Sequence, residues 1–161
     1  MLVIQRPSVE AIGTASNNRQ KFSIGPLDPG LGHTIGNSLR RMLLSSIPGA
    51  AISTVKFESA LHEFDTIEGI TEDVTEIILN LKDVVVMSEG DEPVVITVDV
   101  KGPADVTAAD IVCPTGVTIL NPSQHIATLS AKGRLVVDIT VERGKGYASS
   151  DRDTRKVIGV I

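Results

Sequence analysis

Between the turn-forming Asp28-Pro29-Gly30 and the helix-breaking Pro48-Gly49 lies an uninterrupted segment, His33-Thr34-Ile35-Gly36-Asn37-Ser38-Leu39-Arg40-Arg41-Met42-Leu43-Leu44-Ser45-Ser46-Ile47. No proline breaks it, so it can close into one helix opened by His33 or Thr34. Pro48 must end that helix, because its nitrogen offers no hydrogen to the next turn. At about 100° per residue, Ile35, Leu39, Met42, Leu43 and Ile47 share one apolar sector. Asn37, Arg40 and Arg41 fall on the opposite side, and Leu44 falls among them. A solvated face has no use for that leucine. An apolar side chain beside arginines is the composition of a surface that docks onto another protein.

The remainder of the chain has few rings with which to build a core. Hydrophobic residues make up 42% of the 161 positions, but aromatics only 2%, namely Phe22, Phe57, Phe64 and Tyr147. The core is therefore expected to consist of Val, Ile and Leu. Ala51 to Glu58 alternates, with Val55 and Phe57 on one face and Thr54, Lys56 and Glu58 on the other, as in a half-buried strand. Leu61 to Phe64 reads as continuing extended. Thr71 opens a second helix with Glu72 and Asp73 in its first turn, where negative charge suits the dipole. Val74, Ile77, Ile78 and Leu81 follow at helical spacing.

Beyond residue 84 the period becomes two. Val84 to Met87 and Val94 to Val100 read as strands joined by a hairpin-like turn, Ser88 to Pro93. Gly102 to Asp110 reads as a loop with a helical turn at Thr107 to Asp110. Val117 to Leu120, His125 to Leu129 and Arg134 to Val141 complete the strands, with Lys132-Gly133 turning into the last. At the other end, Leu2 to Arg6 and Lys21 to Leu27 read as strands flanking a polar connection, Gly13 to Arg19. The fold class is α+β, with few helices and mostly antiparallel strands. Ser149 to Arg155 reads as a surface loop. The closing run Val157-Ile158-Gly159-Val160-Ile161 has no turn or polar residue after it and reads as an element cut midway.

Several functions are disfavoured by composition. A net charge of −5 opposes a nucleic-acid surface spread over the chain, which needs a basic face to displace phosphate counterions. Scarce aromatics also oppose single-strand stacking. No apolar run reaches the roughly 18 residues of a membrane span. The single cysteine, Cys113, supports neither a disulfide framework nor a thiolate metal site. Together with the absence of a basic leader at Met1 to Pro7, these features point to a cytoplasmic, reduced setting.

No catalytic constellation emerges, and neither a metal nor a cofactor is expected. Gly30-Leu31-Gly32 with Gly36 misses dinucleotide-loop spacing, and Gly144-Lys145-Gly146 lacks the Walker pattern. A small-molecule or nucleotide-binding domain using these glycine-rich turns is the alternative reading. His33, His62 and His125 sit in different elements, short of the convergent ligands a metal needs. Arg143-Gly144-Lys145-Gly146-Tyr147 is a better docking candidate. Its two glycines permit close approach or unusual φ, and its cations and tyrosine are effective contact groups.

In order and spacing, these segments resemble the N-terminal region of the bacterial RNA polymerase alpha subunit. His33 to Gly49 resembles the family's signature helix. Leu61-His62-Glu63-Phe64, Glu72 to Lys82, His125-Ile126-Ala127-Thr128-Leu129 and Val141 to Tyr147 match it as well. The resemblance is weakest over Val9 to Gln20 and Met87 to Leu120. It implies a non-catalytic assembly subunit of a nucleotidyltransferase: two alpha subunits dimerise and recruit beta and beta-prime. Arg41 and Leu44 match positions at the beta contact, with Arg40 and Asn37 as weaker candidates. Ile35, Leu39 and Leu43 would pack within a dimerisation domain, and Arg143 to Tyr147 would form a second large-subunit contact.

The same resemblance implies a discontinuous dimerisation domain. Residues 1–48 would be its opening segment, 49–153 an inserted α+β domain, and 154–161 the start of its return segment, with the remainder missing. The family's separate DNA-binding domain is absent here, so no direct nucleic-acid contact or membrane contact is expected of this region.

Overall fold

The computed structural model describes residues 6–16, 19–147, 149 and 159–161. The expected strand at Leu2 to Arg6 and the expected loop at Ser149 to Arg155 lie almost wholly outside the described residues. The chain divides into two compact units, residues 1–46 and 47–161.

The first unit holds two strands, β1 (Ser8–Ser16) and β2 (Arg19–Gly25), and the helix α1 (Leu31–Ser46). β1 and β2 pair antiparallel, Ser8 opposite Gly25 and Ala11 opposite Phe22. The polar connection expected at Gly13 to Arg19 is therefore mostly strand. Gly13, at φ 73°, lies where the register shifts between Ile12 and Ser16, so a bulge absorbs the polar stretch without ending the strand. α1 begins at Leu31, two residues before the expected His33. The Leu31 amide donates to the Asp28 carbonyl at 3.1 Å, across the Asp28-Pro29-Gly30 turn in which Gly30 takes φ 88°.

The second unit is built on three strands in the order β3 (Pro48–Phe57), β9 (Arg134–Lys145), β5 (Val94–Lys101), all antiparallel. The two-residue period of β9 puts Leu135, Val137, Ile139 and Val141 inside, each almost wholly buried. Ile139 lies between Val55 of β3 and Ile96 of β5, and Val137 between Phe57 and Val98. Val55 and Phe57 are buried as their alternation required, whereas Lys56 and Glu58 are exposed. Ile161 exchanges both backbone hydrogen bonds with Val55, each 2.8 Å.

Two further ribbons, β4 (Val86–Ser88) with β7 (Val117–Ile119) and β6 (Ala104–Thr107) with β8 (His125–Leu129), join the same core. Helix α2 (Val74–Lys82) packs on β8 and β3 and buries Val74, Ile77 and Leu81. Its start is Asp73 rather than Thr71. The Asp73 carboxylate accepts from the Glu76 amide at 2.7 Å while the Glu76 side chain accepts from the Asp73 amide, a reciprocal cap. Among the described residues no helix is long and apolar enough to cross a membrane.

Three expectations fail for tertiary reasons. Ser88 to Pro93 closes no hairpin, because β4 pairs with β7 while β5 pairs with β9. Gly102 to Asp110 is not all loop. Its single buried branched residue, Val106, seats opposite Ala127 of β8 and forms β6, and the expected helical turn follows as a 3-10 turn, Ala108–Asp110. Leu61 to Phe64 turns instead of running extended, with the Asp65 amide donating to the His62 carbonyl at 3.3 Å.

One backbone junction tolerates no side chain. The Ser130 amide donates to Gly69, the Gly133 amide to Ser130 and the Gly102 amide to Gly133, at 2.8, 2.9 and 2.8 Å. A Cβ on Gly133 would come within 2.2 Å of the Gly69 carbonyl oxygen. Because that obstacle is backbone, relief requires moving the junction. Gly133→Ala is expected to cost about 2 kcal/mol or more, seen as a lower midpoint in urea denaturation. An unchanged midpoint would show the junction to be slack.

Candidate functional site

Helix α1 carries the first group of candidate residues. Because Leu31 to Ser46 is continuous helix, Asn37, Arg41 and Leu44 follow one another at i, i+4 and i+7, and Arg40 lies four residues before Leu44. Such spacings stack side chains on neighbouring ridges. Their juxtaposition is therefore a property of the helix itself. All four are exposed, Leu44 at 68%. The Ser45 hydroxyl donates to the Arg41 carbonyl at 2.6 Å, a bond back to the preceding turn of the same helix.

The opposite side of α1 is also uncovered. Ile35 is half-buried, Leu39 and Leu43 are exposed, and the helix buries no residue. Met42 is exposed as well, while Ile47, expected on the same stripe, lies past the end of the helix at Ser46. A helix with an apolar stripe owes most of its stability to covering that stripe. Two faces of α1 are thus open: one aliphatic, one mixed arginine and leucine.

The second group lies at the end of β9. Arg143, Gly144 and Lys145 carry β9 beyond its expected end at Val141, paired with Ala50, Gly49 and Pro48 of β3. Gly146 then takes φ 66°, a conformation glycine adopts without strain, and Tyr147 stands 91% exposed. The Arg143 guanidinium donates to Asp91 Oδ1 at 2.8 Å. Asp91 is 92% exposed on its side chain, so the pair contributes little to stability and leaves the guanidinium available for exchange onto another acceptor. The two groups belong to different compact units.

A polar cluster escaped the sequence reading. His125 Nε2 lies 3.0 Å from Glu72 Oε1, and Nδ1 lies 2.8 Å from Asp105 Oδ1. The Thr128 amide and hydroxyl donate to Glu72 at 2.7 and 3.0 Å. Burial pushes the Glu72 carboxyl up, but the Thr128 amide and the His125 ring outweigh it and hold it below the usual value. The Glu72 hydrogen bond raises His125 above the ordinary 6.5, against a smaller opposing effect of burial and with help from Asp105. His62-Glu63 was the only histidine with an acid beside it in sequence. The partners of His125 come from distant positions, which no local spacing could reveal.

Comparison with known proteins gives concordant matches. The family described as RNA polymerase Rpb3/RpoA insert domain matches residues 55–161. The DNA-directed RNA polymerase subunit alpha of Beutenbergia cavernae is 55% identical over 153 residues, covering 95% of this chain and 45% of that protein. That of Saccharopolyspora erythraea is 55% identical over 163 residues, covering 100% and 45%. The chain spans just under half the length of these relatives.

Since Arg41 and Leu44 are both exposed, Arg41→Ala and Leu44→Ala should each leave stability within about 0.5 kcal/mol of the parent. Guanidinium denaturation followed by circular dichroism measures this. A loss near 2 kcal/mol in either variant would assign the residue to the fold.

Proposed function

This chain belongs to the bacterial RNA polymerase alpha-subunit family, and from that premise we propose that it acts as an assembly subunit of the transcribing enzyme. In this role it performs no chemistry itself. It dimerises with a second alpha subunit and recruits beta and beta-prime, in the cytoplasm, with no direct nucleic-acid contact through this region. The nucleotidyltransferase reaction belongs to the large subunits.

One observation carries the reading. Arg41 and Leu44 are exposed side by side on α1, and a buried arginine next to an apolar anchor is a common energetic centre of an interface. Arg40 and Asn37 would border that contact with beta. Arg143, Gly144, Lys145, Gly146 and Tyr147 would form a second large-subunit contact, with the glycines letting a partner backbone come close and Tyr147 free to bury its ring. The uncovered Ile35, Leu39 and Leu43 would pack within the dimerisation domain. We assign residues 1–48 to the opening segment of that domain, 49–153 to the insert and 154–161 to the start of the return segment. Pairing of Ile161 with the edge of β3 supports an extended conformation at that point.

Co-purification with a bacterial beta subunit tests the proposal, with circular dichroism confirming that each protein is folded. Capture by the parent is expected, and Arg41→Ala should weaken it by about 2 kcal/mol, roughly thirty-fold in Kd. Equal capture by the folded Arg41→Ala protein would remove α1 from the contact.

A further inference from the structure

The cluster around His125 adds side-chain links to the β6–β8 ribbon and ties that ribbon to the segment entering α2. His125 and Thr128 lie on β8, Asp105 on β6, and Glu72 in the segment entering α2. The groups facing the imidazole are both acidic, Glu72 and Asp105, and Glu76 of α2 borders the same shallow hollow with Leu79 and Asn80. From β8 comes only the neutral Thr128 hydroxyl. Among the described residues, no Lys or Arg pairs with Glu72 or Asp105.

A carboxylate only accepts hydrogen bonds, and a neutral imidazole carries one N–H while the cation carries two. Both contacts of 3.0 and 2.8 Å are therefore satisfied only in the imidazolium. We propose that His125 is a proton-operated fastener that, when charged, links Asp105 of β6 and Glu72 at the entry of α2 across the β6–β8 ribbon, and that when neutral lets go of Asp105 and loosens the β6 edge.

The side that opens follows from burial. Glu72 is 16% exposed on its side chain and keeps two further donors from Thr128. Water cannot readily replace its bond to the ring, so the remaining proton stays on Nε2. Asp105 is 71% exposed. Its carboxylate meets the Nδ1 lone pair and turns to solvent at little cost. The direction with pH is set by the raised titration point. The contribution of the charged ring is complete below the unfolded value of about 6.5 and is lost as pH rises through the higher folded value. The fastener thus closes below the raised folded value and opens above it.

The test is an NMR titration of the His125 imidazole nitrogens in the folded protein, with amide hydrogen exchange measured across the same pH range. His125 is expected to titrate above 6.5. Beyond the intrinsic dependence of exchange on pH, protection of the Ala104–Thr107 amides should fall several-fold across that midpoint, while the Thr128 amide keeps its protection. Asp105→Asn, an exposed and conservative change, should lower the midpoint and abolish the step in β6; Glu72→Gln should lower the midpoint further. A His125 midpoint at or below 6.5, or a β6 step that persists in Asp105→Asn, would overturn the proposal.

Discussion

The buried face of β9 organises the second unit. Leu135, Val137, Ile139 and Val141 meet β3 on one side and β5 on the other, and each of these aliphatic side chains contributes about 1.5–3 kcal/mol when fully withdrawn from water. With so few rings in the chain, cross-strand pairs such as Ile96–Ile139–Val55 replace aromatic packing. Branched aliphatic side chains fit a pleated surface well, and α2 closes the layer with Val74, Ile77 and Leu81. The same central strand runs on to Lys145. Core and candidate contact segment are therefore one continuous strand, and the rigidity of the buried part orients Arg143 and Lys145.

Helix α1 stands in contrast. It forms from local signals and none of its residues is fully buried, so most of its side chains stand exposed. Such a helix is suited to assembly. Its aliphatic side can be covered by one neighbour, its arginine–leucine side by another, and neither event competes with an internal contact. That separation of duties would let a single helix serve both of the contacts proposed for it.

Much of the candidate site was legible because it depends on short range. Asn37, Arg40, Arg41 and Leu44 share a face by helical geometry alone, and Pro48 sets the end. The inward set of β9 and the buried stripe of α2 followed equally from periods of 2 and 3.6. Arg143 to Lys145 was legible as chemistry but not as strand, because Gly144 lowers strand propensity and pairing with β3 restores it. The His125 cluster was not legible at all, since Glu72 and Asp105 reach the ring from separate stretches of chain.

By itself, then, the sequence determined where the helices form, which residues alternate inward, the aliphatic character of the core and the unusual leucine among arginines. All of these are properties of neighbours within about a turn or a pleat. Only the tertiary structure decided that β4 leaves β5 for β7, that Ala104–Thr107 becomes a strand, that three glycine backbones meet at one junction and that one histidine bridges two carboxylates. Those outcomes depend on pairing segments far apart in the chain, where loop-closure entropy and the shape of the partner outweigh local preference.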